Sequence, residues 1–149
     1  MTDKNVSIMN IGSMGYLPQV FKKIENEKKL NIVYLGGSIT MGCNATKTEL
    51  RYVDRSAKWW QTNFPDAEIS YFNAGIGATT SQFGVARVQE HVLDKQPDLV
   101  FVEFSVNDSS SPLFMETYES LVRRLLKAES VKAVVLINNL FYNTGENAQ

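Results

Sequence analysis

Cysteine and histidine are almost missing from this 149-residue sequence, in which Cys43 and His91 each stand alone. A lone cysteine excludes an internal disulfide framework and leaves the redox compartment open. One histidine and one cysteine do not make a ligand cluster, so neither metal nor other cofactor is expected. An excess of charge of one sign is missing as well. The 15 basic and 16 acidic residues leave a formal net charge of −1, which gives no electrostatic case for nucleic acid or an anionic membrane as partner. No apolar window approaches a membrane span, and residues Met1 to Gly12 hold no run long enough for a secretory signal. A cytoplasmic location is the expectation, with secretion of a chain trimmed of its signal left open. What is present, 44% hydrophobic and 21% charged residues, is the make-up of one ordinary globular domain.

The stretch Leu30 to Met41, LNIVYLGGSITM, organises the rest. A continuous apolar run, Ile32 to Leu35, halted by Gly36-Gly37 reads as a strand buried on both faces. Residues 1–17 read as an irregular lead-in. From Pro18 a helical pattern places Val20, Phe21, Ile24 and Lys28 on one face, and Pro18 suits a first helical turn. A loop with Gly42 and Asn44 follows the strand, then a helix over about 49–63 containing Trp59 and Trp60. The tryptophan pair could form a sugar-stacking platform, but one packing on the sheet and one on the flank is the plainer reading. A second strand is expected over 67–73, then a glycine-bearing loop, AGIGATTS, and a helix over 82–95. The third strand, over 99–104 (LVFVEF), is the most apolar stretch and should be central. A polar loop, SVNDSSSP, a helix over 113–129 and a fourth strand over 131–137 complete the pattern.

Strands alternating with single helices imply a parallel sheet covered on both faces. The fold class is therefore α/β, a three-layer α/β/α arrangement with the flavodoxin-like strand order 2-1-3-4 and a switch point between strands 1 and 3. Loops leaving the carboxyl ends of strands 1, 2 and 3 must lie along one sheet edge. They bring Ser38, the amides of Gly75 to Ala78, and Asn107 with Asp108. A hydroxyl nucleophile with preorganised donors for a developing oxyanion is what acyl transfer needs. Asp108 reads as ordering its loop through backbone hydrogen bonds rather than as a base.

GGSIT after strand 1, NAGIGATTS after strand 2 and EFSVND after strand 3 resemble the first three blocks of the SGNH, or GDSL-type, hydrolases. The resemblance covers roughly residues 31–140. It implies that Ser38 is the nucleophile and its own amide one oxyanion donor, that the amide of Gly77 or Ala78 is a second, and that Asn107 is the third. The wording of the blocks is nearest to carbohydrate or acetyl esterases, so a small-molecule or carbohydrate ester is the implied substrate.

Two features depart from the family pattern. The oxyanion glycine falls on Ala78, with Gly77 before it, which costs little unless the position needs a positive φ. The last block, an Asp-x-x-His supplying base and orienting acid, is absent, and no histidine follows Asn107. His91 reads as a helix-flank residue rather than a substitute base. The expectation is that residues 1–149 are the N-terminal part of a longer hydrolase, with the sheet edge at strand 4 exposed and open to self-association. The alternative is a catalytically inactive fragment or non-catalytic binding module of the same fold. A phosphate loop fails on spacing, because Cys43 and Asn44 follow Gly37-x4-Gly42 where Lys and Ser/Thr are needed. The elbow G-x-S-x-G fails at Thr40, and Cys43 has no local basic partner to make it a nucleophile.

Overall fold

The computed structural model describes residues 10, 12, 13 and 15–139; most of the expected lead-in lies outside them. Four strands, β1 (Lys29–Gly36), β2 (Glu68–Gly75), β3 (Leu99–Glu103) and β4 (Ala133–Leu136), form a parallel sheet ordered β2-β1-β3-β4. This is the expected α/β fold and strand order. The helices are α1 (Leu17–Glu27), α2 (Ser38–Met41), α3 (Tyr52–Asn63), α4 (Ser81–His91) and α5 (Pro112–Leu126).

The sheet is covered on both faces because β1 is apolar on both. Its alternation sends Leu30, Ile32 and Tyr34 into a core with Val20 and Ile24 of α1 and Val53 and Trp60 of α3. Val33 and Leu35 enter the opposite core with Val88 of α4 and Leu121 and Leu125 of α5. Tyr34 stacks on Phe101 with ring centroids 4.8 Å apart, and its hydroxyl donates to Ser56 Oγ at 2.9 Å. Burial pushes that phenol up to about 12. Trp60 is buried and Trp59 half exposed, lying edge-on to each other, so the pair splits between core and flank.

At the amino edge of the sheet Asp98 ties three strands. Its carbonyl accepts Lys132 N–H, its amide donates to the Asn31 carbonyl, and its Oδ2 accepts Asn31 N–H. Lys23 of α1 lies 3.4 Å from its other oxygen.

Several expected boundaries shift: the helix expected over 113–129 ends at Leu126, and the strand expected over 131–137 is confined to Ala133–Leu136. Ser38 opens a one-turn helix where a loop was expected. β2 runs on to Gly75 because Ala74 and Gly75 pair with Leu35 and Gly36. The helix expected over 49–63 begins as a separate 3-10 turn, Thr48–Leu50, with extended Arg51 between it and α3. The helix expected over 82–95 stops at His91, and Leu93–Lys95 form a 3-10 turn.

Gly84 lets α4 approach the core closely. A Cβ there would lie 2.9 Å from two ring carbons of Phe104 and 3.3 Å from Leu121 Cδ2. Overpacking of this kind costs about 1–3 kcal/mol. Gly84→Val is therefore expected to lower the unfolding free energy by about 2 kcal/mol, read by urea denaturation; an unchanged midpoint would contradict this packing.

Candidate active site

The loops after β1, β2 and β3 meet at the carboxyl edge, and backbone groups hold them together. Gly37 N–H donates to the Glu103 carbonyl at 3.2 Å, joining the first loop to β3. Ile76 N–H donates to the Gly36 carbonyl at 3.1 Å, joining the second loop to β1. Asn73 then braces both: its Nδ2 donates to the Thr40 carbonyl at 2.8 Å, and its Oδ1 accepts Gly75 N–H at 2.9 Å. Gly75 must be glycine, since a Cβ there would collide with the backbone nitrogen of Met41. The sequence reading passed over Asn73. Its signal was the short Asn-x-Gly spacing, which suits a side chain bonding the backbone two residues on.

Ser38 is the first residue of α2, partly buried, with its carbonyl accepting Gly42 N–H at 3.0 Å and Cys43 N–H at 2.9 Å. Helix-start amides have no intrahelical acceptor. Among the described residues nothing accepts the amides of Ser38, Gly77 or Ala78. Asn107 reaches over this corner. Its Nδ2 lies 3.1 Å from the point where a Cβ on Gly37 would sit, and it donates to the Thr79 carbonyl at 2.7 Å. A primary amide has two N–H donors, so this bond leaves one. Ser38, Gly77, Ala78 and Asn107 thus belong to one loop cluster.

Asp108 orders its surroundings, with Oδ1 accepting Ser81 N–H at the start of α4 at 2.9 Å. Among the described residues its buried Oδ2 has no partner, nor has the buried hydroxyl of Tyr118, whose phenol burial pushes up to about 12. Both residues line a groove of about 580 Å³ between α5 and β4, with Phe114, Val122 and Leu136. On the opposite side Thr40, fully buried, bonds the Tyr52 hydroxyl at 2.8 Å, and burial raises that phenol's pKa.

Among the described residues no hydrogen bond joins His91 to Ser38 or Asn107; it ends α4, whose other end, Ser81, holds Asp108. Its ring Nδ1 faces Arg87 Nη1 at 3.3 Å. Among the described residues no three His, Cys, Asp or Glu side chains group as metal ligands, and Cys43 is exposed.

Residues 34–149 match the GDSL-like lipase/acylhydrolase family. The chain belongs to that family. A two-domain esterase active on acetylated mannans is 49% identical, with a TM-score of 0.87 over 91% of this chain and 37% of its own. This GDSL-like chain therefore spans little more than a third of that relative. An acetylxylan esterase from Geobacillus stearothermophilus, 22% identical, matches 72% of this chain and 58% of its own with a TM-score of 0.61, a likeness of fold. An SGNH-hydrolase family esterase, 23% identical over the same shares, has a TM-score of 0.60. Among curated proteins none matches. The structural neighbours of this GDSL-like domain thus include esterases of acetylated mannan and acetylxylan and an SGNH-hydrolase family esterase.

Ala78 sits at φ 56°, left-handed, so the alanine noted in the second block is a strained substitution for glycine. That conformation costs an L-residue about 1–2 kcal/mol, against roughly 0.5–1 kcal/mol of extra chain entropy for glycine. Ala78→Gly should raise stability by about 0.5–1 kcal/mol in chemical denaturation, and a loss would show that the side chain is needed.

Proposed function

We propose that Ser38 is the nucleophile of an SGNH-type ester hydrolase acting on acetylated carbohydrate or a related small ester. One observation carries the reading: the unaccepted amides of Ser38, Gly77 and Ala78 and the spare N–H of Asn107 gather on loops already tied to one another. Donors fixed before the reaction stabilise charge only as it develops, which is where catalysis gains most. Ser38 Oγ bonds the ester carbonyl carbon and gives its proton to a base, and the carbonyl oxygen becomes an oxyanion facing those donors. Collapse breaks the ester C–O bond, and the alcohol leaves with a proton. Water then adds to the acyl-serine, releasing acid and restoring the hydroxyl.

The base and its orienting carboxylate lie, in this proposal, outside residues 1–149; the relative active on acetylated mannans is much longer than this chain. The substrate class is taken from that relative. A cytoplasmic setting without nucleic acid or membrane partners goes with the same reading, and no described helix is long and apolar enough to cross a membrane. So does self-association through the β4 edge, where Leu136 is exposed beside the α5 groove. The competing reading, a non-catalytic module, is favoured by the lack of a base beside Ser38 among the described residues.

Turnover of p-nitrophenyl acetate, measured on residues 1–149 together with the segment proposed to carry the base, decides between them. Ser38→Ala should abolish the protein-dependent rate, and Asn107→Ala should lower it by about a hundred- to a thousandfold. Equal rates for wild type and Ser38→Ala would sink the esterase reading. Sedimentation should show a concentration-dependent dimer that Leu136→Lys returns to monomer; a monomer throughout would remove the self-association.

A further inference from the structure

Arg87 is a buried cation that nothing in the proposed chemistry uses. It belongs to α4, one turn beyond Gly84, and is only 6% exposed. Its Nη1 donates to the Ala74 carbonyl at 2.6 Å and its Nη2 to the Gly36 carbonyl at 3.1 Å. The guanidinium carbon lies 5.7 Å from the centre of the Phe83 ring on one side, and Nη1 meets His91 Nδ1 on the other. Among the described residues no carboxylate pairs with it, and its Nε has no partner. Burial alone lowers the pKa of the group. Taking an unpaired cation out of water is expensive, so its position calls for a role that a neutral side chain could not fill.

The two carbonyls supply that role. Gly36 is the last rung of β1 and Ala74 the last but one of β2, just before the loops bearing Ser38 and the Gly77 and Ala78 amides. Gly36 also accepts Ile76 N–H, so one carbonyl is shared between the clamp and the start of the second loop. A planar fork with parallel donors fixes the spacing of two acceptors at once, which an ammonium or a single amide cannot do. We propose that Arg87 is a positioning residue: from beneath, it sets the separation of the β1 and β2 ends and with it the alignment of Ser38 to the loop amides. The inference rests on the reading of Ser38 as nucleophile for its catalytic meaning, but its structural content stands apart.

The test reads the two separately. Amide hydrogen exchange followed by NMR on wild type, Arg87→Met and Arg87→Lys should show the hydrogen-bonded loop amides of Ile76 and Gly37 exchanging about tenfold faster in the methionine variant. The lysine variant, which keeps the charge but not the fork, should fall between. Amides of the central strands, such as Val33 and Val100, should keep their wild-type rates. If Arg87→Met does not fold, the lysine variant carries the comparison. Ester turnover should fall about tenfold in kcat with KM unchanged. Loop amides that exchange as in wild type, or that speed up only in step with Val33 and Val100, would overturn the proposal. Were Ser38→Ala to leave ester turnover unchanged, the esterase reading would fail while the exchange rates still decided the role of Arg87.

Discussion

β1 is hydrogen-bonded along both edges, to β2 on one side and β3 on the other, and that double pairing is the constraint from which the site follows. A strand paired on both sides and buried on both faces can leave the sheet only at its end. Its two neighbours run parallel to it and end beside it, so three chain exits are forced together within one or two strand spacings, about 5–10 Å. The ladder leaves backbone donors and acceptors at that edge without strand partners. Gly37 to Glu103 and Ile76 to Gly36 satisfy some of them across loops. Those that stay unsatisfied are the ones the proposed chemistry would use.

The cluster therefore owes much to main-chain geometry, with the Asn73, Asn107 and Asp108 side chains as short struts between loops far apart in sequence. Short polar side chains suit this, because they bond nearby backbone at small entropic cost. The same logic places strain: Ala78 is held left-handed by loops fixed on either side of it, a cost that the rest of the fold offsets.

Much of this was legible in the sequence. The order of strands and helices followed from apolar runs broken by glycine and proline, since β1 and β3 are buried on both faces and carry no alternation to confuse them. The loops bearing Ser38 and Asn107 fell out of the same pattern. What sequence could not show was set by tertiary contact. Four residues are too few for periodicity to reveal α2, which exists because Asn73 and the Gly75 backbone hold it. The extension of β2 through Ala74-Gly75 runs against strand propensity and depends on β1 being there to pair with it. Arg87 was invisible for a different reason, as a charged residue in a helix reads as solvated surface until its acceptors are seen.

The struts at the carboxyl edge and the Asp98 knot at the amino edge divide the sheet into two separately anchored rims. Because the donors of the proposed oxyanion site are mostly peptide N–H groups, side chains on the loop tips can change without removing them. Such a scaffold can drift in what it recognises while the part of it that would polarise a carbonyl stays the same.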